Sequence, residues 1–283
     1  MKQIKIDNKI ISEKHKPYIV AELSANHDGK LEKALKSIYY AKKCGADIYI
    51  HESDAPFLIT NQRNWALLNC EITTPWVLFL DADERVTPLL EKQITKYTHI
   101  SASYNSTICA FYLAPKYLFL NKWLRFSQHY PNWHPRLLRS TGIQFSGGVW
   151  ESFCDDFQQP LASSQTAVLS EPYEHIAFSK GINDWLIKHL RYADWDARSI
   201  LSFISNDSRF AGLSLRRKPL LRVVSFYFWP FRPFMRFTHK YVLSLGFLDG
   251  WQGFIYCLLM FFYEIIVVIK VLEVKLGLSK CVR

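Results

Sequence analysis

The sequence predicts an α/β fold, and three stretches carry the prediction. Residues 16–52 read as strand, turn, helix, turn and strand. Residues 75–80 form a continuous apolar run of strand length that ends in the carboxylates of "DADE". Residues 253–269 are an apolar run of helical length behind a basic, aromatic stretch. With 283 residues, 49% hydrophobic and 21% charged, the chain can bury one large core or two small ones, which argues against disorder.

The first stretch is the most regular. Pro17 to Leu23 is a short apolar run, Asn26-His27-Asp28-Gly29 is turn chemistry, and Leu31, Ala34, Leu35, Ile38 and Ala41 recur at helical spacing until Cys44-Gly45 stops the helix. Strand, helix and strand joined by short turns make a βαβ unit, which predicts parallel pairing. "IVAELSANHDG" followed by "LEKALKSIYYAKKCGAD" resembles the opening βα unit of the sialic acid and pseudaminic acid synthases over about residues 5–48. That resemblance implies condensation of phosphoenolpyruvate with an amino sugar and places Glu22, Asn26 and His27 near substrate. A (β/α)8 barrel needs roughly 250 residues, and no further barrel strands, metal-binding histidines or antifreeze-like domain follow.

The run from Pro75 to Leu80 is expected in the middle of a parallel sheet covered on both faces. Ligands of open α/β sheets bind outside the carboxyl ends of strands, so Asp81 and Asp83 emerge where a ligand would sit, and strand alternation points them to one side. Two adjacent carboxylates repel unless a cation lies between them. A hard ion such as Mg²⁺ or Mn²⁺, which also takes substrate phosphate, resolves the conflict. The alternative is helix capping, since Asp before "ERVTPLLEKQI" is good N-terminal chemistry.

Further motifs follow in order: "NQRNWALLNCEITTPWVLFLDADERVTPLL", "NWHPRLLR", "GGVWE", "YEHIAFSKGINDWLIKHLRYADWDA" and "LGFLDGWQGFIYCLLMFFYEIIVVIKVLE". Together they resemble family 2 glycosyltransferases of the lipopolysaccharide-core and capsule glucosyltransferase type, over about residues 50–283. The resemblance implies a GT-A-like mixed sheet flanked by helices and an inverting, metal-dependent transfer from a nucleotide-sugar donor, UDP-linked, to a lipid-linked saccharide. Asp81 and Asp83 then hold the metal, and His175 of "YEHIAF" completes the site or contacts the diphosphate. Glu151 is the candidate base, because it follows a Gly-Gly turn where the family reads V-H-E; here Trp150 stands in place of the histidine. Arg63, Asp81, Arg136 and Arg139 are the candidates for donor contact. Arg136 and Arg139 are three apart and on a helix or turn would face one way, able to grip phosphate with forked guanidinium groups. Each has a bland counterpart: a surface charge for the arginines, a loop carboxylate for Glu151, a core or surface imidazole for His175. Trp65, Trp76 and Trp133 read as core.

The net charge of +10 and 16% aromatic content suit nucleic acid, an anionic membrane surface or a phosphorylated ligand. Between Arg209 and Leu248 there are eight basic residues (Arg209, Arg216, Arg217, Lys218, Arg222, Arg232, Arg236 and Lys240) and no acidic one. "VVSFYFWPFRPFMRF" interleaves them with rings suited to the headgroup level, and Pro230 and Pro233 are expected to break any helix there. The 17 residues 253–269 reach about 25 Å, borderline for a span, and with Glu264 inside and Lys270 and Lys275 flanking they favour monotopic attachment. Nucleic acid is not expected, since no recognised nucleic-acid module is present.

The six cysteines show no C-x-x-C pair, so neither a zinc site nor a disulfide framework is suggested, and a reducing compartment fits best. "MKQIKIDNKIISEKHK" lacks the apolar core of a signal peptide. The expected location is therefore the cytoplasmic face of a bacterial inner membrane. Three consecutive segments result: a synthase-like 1–50, a truncated catalytic domain 51–215 and a membrane-associating 216–283. The transferase family's opening motifs, V-V-I-P-x-Y-N and V-D-x-x-S-x-D, are absent, and the foreign βαβ element stands where they would be. That pattern reads as a fusion that does not restore the base-binding loop.

Overall fold

A computed structural model describes residues 4–6, 9–11, 31–43, 58–103, 107–147, 151–204 and 227–278. The chain forms two compact, discontinuous units, one of Met1–Pro115 with Asn132–His175, the other of Lys116–Pro131 with Ile176–Arg283. The three consecutive segments expected from sequence cut across this division.

The N-terminal residues begin with a hairpin of β1 (Ile4–Ile6) and β2 (Lys9–Ile11), paired antiparallel. The helix expected from the apolar spacing is present as α1 (Leu31–Lys43), with Glu32 in its first turn and Lys42 and Lys43 in its last, each favourable to the helix dipole. Leu35, counted on its apolar face, is 55% exposed. Both strands expected around α1, and Glu22, Asn26 and His27, lie outside the described residues.

The rest of the first unit is mixed α/β. Helix α2 (Ile59–Asn69) precedes β3 (Trp76–Leu78) and the two-residue β4 (Glu84–Arg85), and α3 (Pro88–Ser103) leads to β5 (Ala110–Phe119). The strands β6 (Lys122–Trp123), β7 (His134–Arg139), β8 (Gln144–Ser146), β9 (Ser152–Cys154) and β10 (Thr166–His175) follow. The main sheet runs β3-β7-β5-β10-β4, with β8 and β9 as a separate pair. The expected parallel setting of β3 is corrected: it pairs antiparallel with β7, Val77 opposite Leu138, and ends the order of described strands. Its apolar run reflects burial on two faces. Trp76 packs with Leu90, Phe111, Leu137 and Tyr173, while Val77 and Phe79 pack with Leu138, Phe145 and Phe153. Of the three tryptophans read as core, Trp76 is buried, Trp65 is half-buried and Trp133 is 38% exposed.

Capping by Asp81 or Asp83 is also settled. Helix α3 starts with Pro88 in its first turn, and Thr87 caps it, its Oγ1 accepting from Leu90 N at 3.2 Å. Asp81 and Asp83 stand apart from that helix end.

In the second unit, α4 (Gly181–Ile204) packs along α6 (Gly250–Lys275). Trp185, Ala193, Ala197 and Ile200 meet Tyr256, Met260, Val267 and Val271, at the spacing of one stripe on each helix. Between them lie a 3₁₀ turn (Trp229–Phe231), α5 (Arg232–Phe237), a π-helical turn (Thr238–Leu243) and a second 3₁₀ turn (Gly246–Asp249). Pro230 and Pro233 occupy first-turn positions and start helices instead of breaking them, because a first-turn N–H needs no intrahelical partner. The 26 residues of α6 extend ~39 Å, and residues 246–275 are the one stretch among those described that is long and apolar enough to cross a membrane, by length and composition. Glu264 is fully buried: Arg232 donates to it at 2.8 and 3.1 Å, and Arg236 lies at 3.0 Å. The acid inside the apolar run is thus neutralised within the unit. Cys70, Cys109, Cys154 and Cys257 are free thiols.

Candidate functional site

The site forms at the carboxyl end of β3. Helix α2 is fastened beside it by polar side chains that satisfy the main chain near β8. Asn64 exchanges two 2.8 Å hydrogen bonds with Phe145, donating to its carbonyl and accepting from its N–H, and Thr60 donates to Gly147 O at 2.9 Å. These contacts hold Arg63, one helical turn on from Thr60, at 2% exposure with its guanidinium 5.4 Å from the Phe145 ring centre and 6.0 Å from that of Phe79. Arg63 donates to Asp81 Oδ1 at 3.0 Å and to Glu151 Oε2.

Arg136 comes from β7, whose carbonyl at that residue accepts from Phe79 N at 2.8 Å. The β5–β7 register slips between Phe111 and Tyr112, and no β5 residue is paired with Arg136. Such a bulge re-aims a side chain. Arg136 Nη2 donates to Glu84 Oε1 at 2.7 Å and Asp81 Oδ2 at 3.2 Å, its Nη1 lies 3.8 Å from Glu151 Oε2, and its guanidinium is 5.5 Å from the Tyr173 ring centre. Its Nε and Nη1 are buried without a hydrogen-bond partner. Desolvation opposes the charge on Arg136, but Glu84, Tyr173 and Asp81 outweigh it and hold the group protonated.

Residues 81–84 form a turn closed by Glu84 N donating to Asp81 O at 2.9 Å and Asp81 N donating to Glu84 Oε2 at 3.0 Å. Strand alternation therefore does not set the direction of the two aspartates. Asp81 engages Arg63 and Arg136, whereas Asp83 Oδ2 lies 3.6 Å from His175 Nε2, on the residue paired with Glu84 across β4 and β10. Glu151, with a side chain 9% exposed, is raised above the usual carboxyl range by burial, against the pull of Arg63 and Arg136. His134 is lowered to about 4 by burial, then by Arg136, His175 and Arg63; its Nε2 lies 3.1 Å from Asn132 Nδ2, a donor that requires an unprotonated ring nitrogen.

The structure therefore brings together Arg63, Asp81, Arg136 and Glu151, with Asp83 and His175 as a neighbouring pair. Arg139 stands apart. Because "HPRLLR" is a strand, its three-residue spacing from Arg136 spans ~10 Å, and its guanidinium sits 5.1 Å from the Trp76 ring centre. The expectation that these two arginines face one way is corrected by that strand. Glu84, one of the three carboxylates of "DADE", carries no assigned role in the sequence reading, yet it holds both Arg136 and the Asp81 main chain. Among the described residues no three His, Cys, Asp or Glu side chains gather as a group able to hold a metal alone. The arrangement can bind an anion on guanidinium groups beside a buried carboxylate that can accept a proton.

No family model matches the chain. A 45-residue segment, 16% of the chain, is 56% identical to the pseudaminic acid synthases of Campylobacter jejuni subsp. jejuni serotypes O:2 and O:23/36. The match covers 13% of each synthase's length. It supports the synthase-like reading of the N-terminal part.

Proposed function

We propose that the chain is a family 2, inverting glycosyltransferase that moves a sugar from a nucleotide-linked donor, UDP-linked, to a lipid-linked saccharide such as lipopolysaccharide core. One observation carries this reading: Asp81, Asp83, Glu151 and two buried guanidinium groups converge at the carboxyl end of β3. The family assignment rests on this site and on the motif order, with no named relative behind it.

The donor set fits a hard divalent ion. Asp81, Glu84 and Glu151 meet Arg63 and Arg136, and Asp83 lies beside them with His175, so carboxylates outnumber guanidinium groups and the excess negative charge suits Mg²⁺ or Mn²⁺. Ions of this kind take one or two carboxylates and complete their shell with water and substrate phosphate, which suits a site lacking a three-ligand cage. Asp81 and Asp83 would hold it with His175 beside them, and it would supply charge neutralisation at the departing diphosphate. Arg136, with unused donors at Nε and Nη1, and Arg63 would grip the diphosphate oxygens. Glu151, its carboxyl raised by burial, would take the proton of the attacking acceptor hydroxyl.

Membrane attachment belongs to the same proposal. One face of α6 is committed to α4, whose Lys188 and Arg191 are exposed, while Trp251, Phe254, Phe262 and Ile269 of α6 are open to solvent. A helix bound along a charged partner suits the surface of an anionic bilayer better than a crossing, so the attachment is monotopic, on the cytoplasmic face.

The synthase match favours a second reading, in which the chain carries a fragment of a phosphoenolpyruvate-dependent sialic or pseudaminic acid synthase and is otherwise a catalytically impaired fusion remnant on the membrane. The antiparallel pairs β3–β7 and β5–β7 do not suit an all-parallel barrel. Isothermal titration with UDP-glucose and UDP, with and without Mn²⁺, separates the readings when an Asp83→Ala variant and a phosphoenolpyruvate-consumption assay run beside it. The transferase reading expects metal-dependent heat that the variant loses. Absence of heat from folded protein, or consumption of phosphoenolpyruvate, would overturn it.

A further inference from the structure

The second unit holds a basic cleft that none of the chemistry above uses. Arg125, Phe126, His129, Tyr130 and Ser244 line an open space of about 500 Å³. One wall is the loop 125–130, fixed from below by Asp249. This carboxylate, 2% exposed, accepts from Arg125 N at 3.0 Å, Phe126 N at 3.1 Å, Ser127 N at 2.8 Å and Ser127 Oγ at 2.6 Å. Lys240 Nζ, also buried, donates to Ser127 O at 2.8 Å. On this anchored wall His129 is held at φ 54°, a left-handed conformation uncommon for a residue with a side chain, and its ring lies 5.0 Å from that of His239.

Arg125 is the permanently charged residue of the lining. His129 is exposed at the mouth, yet it is pushed down to about 4 by desolvation and by the charges of Lys240, His239 and Arg236. The nearby acids are already committed, Asp249 to four donors and Glu264 to Arg232 and Arg236. The segment that supplies Ser244 is apolar and open: Leu243 is 70% exposed, Leu245 44% and Phe247 46%. A basic pocket beside exposed apolar side chains matches a ligand with a phosphate at one end and hydrocarbon at the other.

We propose that this cleft receives the phosphate of an anionic lipid headgroup, with Arg125 and His129 as its donors and Leu243, Leu245 and Phe247 entering the acyl boundary. The inference rests on the membrane attachment proposed above and assigns it a specific headgroup contact. A freely soluble phosphate would satisfy Arg125 and His129 equally but leaves the apolar residues in water.

The test is flotation of the full-length protein with vesicles of phosphatidylcholine alone or mixed with phosphatidylglycerol. The double variant R125Q/H129N removes both donors while Asn tolerates the left-handed backbone, and K92Q removes an exposed charge on α3 of the first unit as a control for net charge. Tryptophan fluorescence verifies folding, and inorganic phosphate is titrated in parallel. The proposal expects preference for phosphatidylglycerol, weakened about tenfold in the double variant and unchanged in K92Q, as expected on losing two charge-assisted hydrogen bonds. Equal binding by wild type and folded double variant would overturn the cleft and leave the attachment standing. No binding by the wild type to either vesicle would overturn both. Arg125-dependent binding of inorganic phosphate without preference between vesicles would assign the cleft to soluble phosphate and overturn the lipid assignment.

Discussion

Replacing Arg136 with Met leaves three carboxylates short of a partner. The most buried of them, Glu84, is 1% exposed at its side chain and takes its shortest hydrogen bond, 2.7 Å, from the lost guanidinium. One donor remains to it in the turn, Asp81 N at 3.0 Å. Removing one member of a buried ion pair costs about 3–5 kcal/mol, because the survivor stays desolvated without compensation. The hydrophobic bulk of Met returns little of this, so R136M should lose about 3–4 kcal/mol. Neutralising the stranded acid should recover part of the loss: R136M/E84Q should be at least about 1.5 kcal/mol more stable than the sum of the single changes predicts. Urea unfolding read by hydrogen exchange in peptides covering residues 76–85 follows the first unit separately from the second. A loss below about 1 kcal/mol, or strict additivity in the double variant, would refute the view of Arg136 as the organiser of the turn.

Three other outcomes follow from the structure. His134, lowered to about 4 against an ordinary 6.5, binds fewer protons folded than unfolded between those values, so its contribution is full above pH 6.5 and lost as pH falls towards 4. H134Q should flatten the acid limb of the unfolding free energy by at most about 3 kcal/mol, and an unchanged limb would contradict the half-buried neutral imidazole. At Gly253 an added Cβ would stand 2.4 Å from Gly246 O and 2.7 Å from Asp249 Cβ, so G253A should destabilise the start of α6 by about 1–3 kcal/mol and speed hydrogen exchange there. Replacing Glu264 by Gln should cost about 3 kcal/mol by stranding Arg232 and Arg236, whereas a lipid-facing acid would give a gain in vesicle binding on neutralisation.

How much of the site is legible from sequence follows from the range of the forces involved. The end of β3 is readable because a two-sided apolar run followed by acids is a local signal, and residues 75–84 contain all of it. The partners of Asp81 are long-range. Arg63 and Arg136 reach it through a helix fastened by Asn64 and through a bulged strand, and neither device has a local signature. "HPRLLR" is too short for its period to distinguish helix from strand, which is why Arg139 was grouped with Arg136. The role of Glu84 is not legible because a buried acid looks like an exposed one until its arginine is placed. In the second unit the apolar length of α6 is plain from composition, but the burial of Glu264 depends on Arg232, thirty-two residues away.

The most direct measurement is Mn²⁺ retention by electron paramagnetic resonance, comparing free Mn²⁺ with and without UDP in the wild type, D83A and R139A. A transferase site at the end of β3 predicts UDP-dependent Mn²⁺ retention that D83A abolishes and R139A keeps, since Arg139 lies away from the site on Trp76. Retention that survives D83A, or no retention by folded wild-type protein, would contradict a metal-nucleotide site there.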